Sequence, residues 1–305
     1  MGTPEPAALC LKALIDAKHE VAAVITQPDR PKGRGLKIVE PPVKELAKKY
    51  GIPVHQPEKI KDPSAIDLVK KIGPDLIIVV AYGKILPKEI IDAPKFGSIN
   101  VHASLLPKYR GAAPVQCALL YGDKETGITI MRVAEALDSG DIILQEKVPI
   151  EIIDNTGTLT KKLFAVGAEL LIKAVEQINN GKARYTKQDE RGVSLAPTLK
   201  KEAGMIDWKK SAKQIFDQIR ACNPWPVAYT VHDGKILRIF WADMIEGPKA
   251  VPGKVMEIIH EKGFLVGTGK DALVIREVQL EGGKRMSAKD FLIGHKIKVG
   301  DELQS

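Results

Sequence analysis

Over the first 180 residues, short β-branched runs alternate with helical patterns, and this alternation limits the possible folds more than any other feature of the chain. The runs 20–26 (EVAAVIT), 75–80 (DLIIVV) and 98–102 (SINVH) have the near-continuous apolar character of strands buried on both faces. Helix signals lie between them: one over 43–50, one after Asp62-Pro63 with proline at a first helical position, and a short turn after Pro87. Strand, helix, strand order of this kind predicts a parallel sheet with right-handed crossovers. The rhythm then changes. Runs 128–133 and 141–150 read as two more strands joined by 134–140. Thr156 is placed to cap a long amphipathic helix reaching about Asn179, with Leu159, Leu163, Leu170 and Leu171 on its buried side.

Asn180-Gly181 ends that helix, and the polar, irregular stretch down to Gly204 reads as a linker. Ser211 opens a further helix with the stripe Ala212, Ile215, Phe216 and Ile219, stopped by Asn223-Pro224-Trp225-Pro226. Short strands follow over 228–232, 236–241, 255–260, 264–268 and 272–278, the first two joined by Asp233-Gly234. Ser287 with Asp290 three residues on marks a capped short helix. The expected architecture is therefore α/β. Residues 1–181 form an open, mostly parallel Rossmann-like sheet, 182–204 a linker, and 205–305 a small OB-like β-barrel.

Composition removes several classes. No apolar run reaches the roughly 18 residues a spanning helix needs, so no membrane span is expected. The first residues lack a basic region ahead of an apolar block, so no secretory signal is expected either. Cys10, Cys117 and Cys222 lie too far apart for a disulfide framework or a zinc site, and buried reduced thiols in the cytoplasm are the reading. The net charge of +8 suits a partner bearing phosphates. Residues 201–305 hold 17 Lys plus Arg against 14 acids, so the charge is spread over both halves. The local concentration is Arg30, Lys32, Arg34, Lys37, Lys44, Lys48 and Lys49 against Glu40 and Glu45; by itself such a cluster is usually a solvated face.

The most informative chemistry is Asn100-Val101-His102 at the end of a buried strand. Residues two apart on a strand share a face, so an amide and an imidazole are aimed at one spot. That spot lies outside the carboxyl end of the strand, where open α/β sheets bind ligands. A core histidine with a strand-end cap would give the same three letters. Downstream, Leu137-Asp138-Ser139-Gly140-Asp141 puts two carboxylates in a loop, which alone is a turn. Taken together, a carboxylate can orient the histidine, while amide and imidazolium can stabilise an oxyanion. That equips acyl transfer without a covalent enzyme intermediate. There is no Gly-x-Ser-x-Gly elbow, P-loop, Gly-x-Gly-x-x-Gly or metal-spaced His/Cys cluster, and Ser104 has no evident base.

These segments, in order, resemble the methionyl-tRNA formyltransferase family over essentially the whole chain. The likeness is carried by Met1-Gly2-Thr3-Pro4-Glu5, 27–35 (QPDRPKGRG), 79–87 (VVAYGKILP), 99–114 (INVHASLLPKYRGAAP), 137–141 (LDSGD), Ile206-Asp207-Trp208 and 223–226 (NPWP). The resemblance implies formyl transfer from the cosubstrate 10-formyltetrahydrofolate to methionyl initiator tRNA, with no metal. It implies Asn100 and His102 acting on the formyl oxygen and Asp138 orienting His102 and moving protons. It implies a folate site at Tyr82, Ile85, Leu86, Ser104, Leu105, Leu106 and Pro107, beside the 134–138 loop, and a tRNA-contacting flexible loop carrying Arg30, Lys32, Arg34 and Lys37. A bacterial, cytoplasmic monomer is expected. Pro6 stands where the family usually has phenylalanine, Ala136 where glycine is usual, and Ala203 where an acid is common. Members of the family have a short strand before the Met1-Gly2-Thr3-Pro4 segment. A start assigned too late is the expectation here, leaving neighbouring strands with unpaired backbone. The alternatives are a formyltransferase acting on another amine, or an idle RNA-binding relative if that truncation is real.

Overall fold

In the computed structural model, which describes residues 1–32, 37–247 and 250–305, the chain divides into two units. The first comprises Met1–Pro114, Glu125–Pro149 and Thr160–Ala196; the second comprises Val115–Lys124, Ile150–Leu159 and Pro197–Ser305.

In the first unit, strands β1 (Val24–Ile25) and β2 (Val54–His55) pair in parallel. Strands β3 (Ile77–Val79), β4 (Ser98–His102), β5 (Glu125–Arg132) and β6 (Ile142–Pro149) form a four-stranded sheet in that order. The β3–β4 pair is parallel and the other two are antiparallel, with Val79 opposite Asn100 and His102 opposite Thr129. Helices Pro42–Lys49 and Pro63–Ile72 each begin on proline, whose missing N–H costs nothing in a first turn, and the second ends on Gly73 in the left-handed conformation. Ile25, Ile60, Val69, Ile77, Tyr82, Leu86 and Ile90 make a core cluster.

The two sheets are joined by the first residues of the chain. The Gly2 N–H donates to the Ile25 carbonyl at 3.1 Å, and the Val80 N–H donates to the Met1 carbonyl at 2.9 Å. A Cβ on residue 2 would collide with Ala7 and the Val80 carbonyl, so the bridge requires glycine. Beyond this bridge a cavity of about 560 Å³, lined by Leu11, Val24, Val43, Ile77 and Ile78 among others, separates the facing edges. Runs 20–26 and 75–80 accordingly shrink to β1 and β3, because a strand edge without a partner has no ladder to extend it.

Three local expectations change. The long helix is Thr156–Asn179, but its cap is Asn155, whose Oδ1 accepts from the Thr158 N–H at 3.0 Å; the Thr156 hydroxyl donates to Ala221 O instead. The expected loop at 27–37 contains an antiparallel pair, Arg30–Lys32 with Lys37–Val39. The expected linker is ordered through Ala196 in the first unit, where Leu195–Ala196 pairs in parallel with Arg110–Gly111.

In the second unit, helix Ala212–Cys222 opens on a Ser211/Gln214 capping box and packs on β7 (Ala228–His232), β8 (Lys235–Ile245) and β11 (Ala272–Leu280), with β9 (Val255–Ile259) and β10 (Gly263–Gly267) contributing to the same core. Sheet order is β7-β8-β11-β10-β9, antiparallel throughout, with Met286–Ser287 added to β11. Among the described residues the sheet is not closed by a continuous ladder. Its edges are linked through residues 301–304 by single bridges, Val231 to Gln304 and Lys254 to Glu302. Trp208 is buried there and donates from Nε1 to the Thr230 hydroxyl at 3.0 Å.

All three cysteines are buried and unpaired, and burial pushes the Cys10 and Cys222 thiols up to about 12 and raises that of Cys117. The reactive thiolate is therefore scarce at Cys10 and Cys222 near neutral pH, and burial also bars access to the sulfurs. Ellman's reagent should therefore react with the folded chain at least 100-fold more slowly than with the chain in guanidinium, where three thiols should titrate.

Candidate active site

Asn100 and His102 share one face of β4, between β3 and β5, and the pairing with both neighbours fixes their spacing. His102 is buried. Its Nε2 lies 3.0 Å from the Tyr109 carbonyl, and since a carbonyl only accepts, Nε2 carries a hydrogen. The other nitrogen, Nδ1, faces Asp138 Oδ2 at 3.7 Å, too long for a direct hydrogen bond but within electrostatic reach. Asp138 Oδ2 also accepts from the Gly111 N–H at 2.9 Å. The ring is thus tethered on one side, with its free nitrogen aimed at a held carboxylate.

The loop carrying Asp138 is narrow at its neck, where the Arg132 N–H donates to the Asp141 carbonyl at 2.9 Å. Asp138 has a φ of +45°, in the left-handed region. Ala136 is exposed and does not adopt a positive φ, so alanine is accommodated there without backbone strain. Gly140 is required by space: a Cβ would run into the Arg132 carbonyl.

Residues 104–107 are fixed by the sheet beneath them. The Thr129 hydroxyl donates to the Ser104 carbonyl at 2.6 Å and accepts from the Leu106 N–H at 3.2 Å, and Gln145 Nε2 donates to the Leu106 carbonyl at 2.8 Å. Ser104 is fully buried and its hydroxyl donates to the Lys108 carbonyl, so it serves the turn. Leu106 is buried; Leu105 and Pro107 are half-buried. Tyr82 and Leu86 lie in the core cluster, whereas Ile85 is 69 % exposed. Lys88 sits 3.1 Å from Glu135, which brings the 134–138 loop beside the turn carrying Ile85 and Leu86. Exposed Ile85 and Leu137 give that region an apolar surface fit for a flat ring.

The basic cluster divides. Lys44 is ion-paired with Asp29 at 2.7 Å and with Glu40 at 3.2 Å, and Lys48 pairs with Glu40, so these two helix lysines have carboxylate partners within the chain. Arg30 is exposed. Arg34 and the side chains of Lys32 and Lys37 lie outside the described residues.

Tyr109, Arg110, Gly111, Gln188 and Ser194 were not anticipated as site residues. Ser194 Oγ accepts from the Tyr109 N–H at 2.9 Å and its carbonyl accepts from the Arg110 N–H at 2.9 Å, which holds the carbonyl that tethers His102. The available signal was RGAAP beside the Asn-x-His strand; a polar stretch some eighty residues later carried none.

Residues 1–175 match the family model described as Formyl transferase, and residues 198–296 match Formyl transferase, C-terminal domain. The methionyl-tRNA formyltransferase of Pelotomaculum thermopropionicum is 50% identical over 303 residues, covering 98% of this chain and 96% of the relative. That of Bacillus subtilis is 47% identical over 305 residues, covering 99% and 96%. The chain belongs to the methionyl-tRNA formyltransferase family. Solved structures share the fold at low identity. An Aquifex aeolicus HypX variant has a TM-score of 0.66 at 20% identity, covering 96% of this chain and 46% of that one. WlaRD, described as a sugar 3N-formyl transferase, has a TM-score of 0.66 at 21% identity, covering 90% and 95%. Among the described residues no helix is long and apolar enough to cross a membrane, and no cluster of His, Cys, Asp and Glu could hold a metal ion.

Because Gly140 sets the position of the Asp138 loop, Gly140→Ala should displace Asp138 from His102. A misplacement of about 1 Å commonly costs on the order of 100-fold in rate. Formyl transfer at saturating substrates should fall by about that factor; an unchanged rate would show that the loop tolerates the extra carbon.

Proposed function

We propose that this chain transfers the formyl group of 10-formyltetrahydrofolate to the α-amino group of methionine esterified to initiator tRNA, acting as a monomer in the bacterial cytoplasm. The acceptor assignment is carried by one observation: relatives named methionyl-tRNA formyltransferase are 45–50% identical to it over nearly its whole length. The geometry around His102 supplies the chemistry. A single copy contains every residue assigned a role.

In this reading the amine nitrogen attacks the formyl carbon, a C–N bond forms, and the formyl oxygen becomes negative. The Asn100 amide donates to that oxygen. His102 Nε2 is committed to Tyr109, so the ring can donate to the oxygen only through Nδ1, which requires both ring nitrogens to carry hydrogen. Asp138 faces that nitrogen and stabilises the imidazolium. The attacking amine loses its proton toward the Asp138–His102 pair. The intermediate then collapses with cleavage of the bond to the donor nitrogen, which takes up a proton, giving formylmethionyl-tRNA and tetrahydrofolate. The donor's ring system lies against Ile85 and the 134–138 loop, with the residues at 104–107, Tyr82 and Leu86 shaping the wall beneath it. Arg30, Lys32, Arg34 and Lys37 contact the tRNA.

The direct test is to incubate the chain with 10-formyltetrahydrofolate and charged initiator tRNA and follow formylmethionine by mass spectrometry. Formylation is expected, and its complete failure would refute the assignment. Loss of one oxyanion donor typically costs about 100- to 1000-fold, so His102→Ala should slow turnover by that much in a chain that still folds, as checked by circular dichroism at the assay temperature. Arg34→Ala should raise the KM for tRNA without changing that for the formyl donor. Affinity for tRNA should also fall steadily as salt rises, by the release of counterions from phosphates.

A further inference from the structure

Gln188 lies in a stretch whose sequence looks like a linker, yet its side chain is buried and all its strong hydrogen-bonding groups are used. Nε2 donates to the Asp138 carbonyl at 2.8 Å and to the Gly140 carbonyl at 2.8 Å. Oε1 accepts from Arg110 Nε at 3.0 Å. Arg110 is itself buried and forms a two-pronged pair with Glu190, at 2.8 and 3.3 Å. These contacts fix which way the amide faces. Turned over, its oxygen would meet two carbonyl oxygens and its NH₂ would meet a guanidinium N–H. The residue reached is Asp138, a non-glycine held at a positive φ, a conformation that persists only where surrounding contacts impose it. Arg110 also belongs to the segment that supplies the Tyr109 carbonyl to His102 and the Gly111 N–H to Asp138.

We infer that Gln188, oriented by Arg110, is a positioning residue for formyl transfer: it holds the Asp138 loop in the left-handed conformation that aims the carboxylate at His102 Nδ1. Gln188 touches no reacting atom in this scheme and acts through Asp138. The inference rests on the proposed reading of Asp138.

Its test compares Gln188→Leu, Gln188→Glu, Asp138→Ala and the double variant Gln188→Leu/Asp138→Ala in the full chain. The readouts are kcat, the KM for each substrate and the thermal midpoint. Gln188→Leu keeps the bulk but removes both donors, and should lower kcat by about 10- to 100-fold while changing either KM less than about threefold. Gln188→Glu keeps the shape and the acceptor facing Arg110 but replaces the NH₂ with an oxygen against the two carbonyls, so it should lose a similar factor. That variant also covers the possibility that the leucine form folds poorly. In the Asp138→Ala background, Gln188→Leu should cost less than twofold more, because the residue it positions is gone.

A kcat within twofold of the parent in Gln188→Glu, or losses that multiply in the double variant, would overturn the inference while leaving the role of Asp138 intact. Full activity in Asp138→Ala would overturn the reading of the site and this inference with it.

Discussion

His102 has two ring nitrogens and the fold commits one of them. The Tyr109 carbonyl, which can only accept, takes the hydrogen on Nε2, and the remaining nitrogen is thereby turned toward Asp138. The rest of the first unit can be read as the means of keeping that carbonyl and that carboxylate where they are. Thr129 and Gln145 pin the turn at 104–107, Ser194 pins Tyr109 and Arg110, and Gly111 pins Asp138. Each is a hydrogen bond between groups on different segments, so the site depends on tertiary pairing more than on any one loop's preference.

This arrangement separates two tasks that a single histidine could not do with one nitrogen. Orientation falls to Nε2, and in the proposed reading proton traffic falls to Nδ1. The gap of 3.7 Å between Nδ1 and Asp138 leaves the pair unjoined at rest, so a proton placed between them meets an acceptor on either side. Catalytic hydrogen bonds that are long in the unliganded site and shorten on the way to the transition state are common, and this spacing fits that behaviour.

Much of this was legible in the sequence, and the legible part has a common physical origin. Strand β4, the long helix to Asn179 and the capped helix at Ala212 depend on patterns within a few residues, namely buried periodicity and caps, and all appear where the sequence puts them. Asn100 and His102 could be paired because strand alternation is local. The cap at Asn155 was missed because Thr156 has the same chemistry one position later, and only the competing bond to Ala221 distinguishes them. The part played by 182–196 was hidden for a different reason. Its value lies in pairing with Arg110–Gly111, some eighty residues earlier in the chain, and a segment that finds its hydrogen bonds that far away carries no period of its own. In the second unit the strand spacing was readable, whereas the way the outer edges are linked depends on residues 301–304.

Those four residues also cover backbone that the five strands leave exposed at the rims of the sheet. Leu303 is buried and its N–H donates to the Gly253 carbonyl at 2.8 Å, while Gln304 exchanges backbone bonds with Val231 at 2.9 and 3.1 Å. The outer edge of β7 is covered at Tyr229 by Met205–Ile206 and at Val231 by Gln304, and that of β9 is reached by Glu302 beside Lys254. Those outer edges would otherwise present unpaired N–H and C=O groups, the condition in which strands are most prone to pair with a wrong partner.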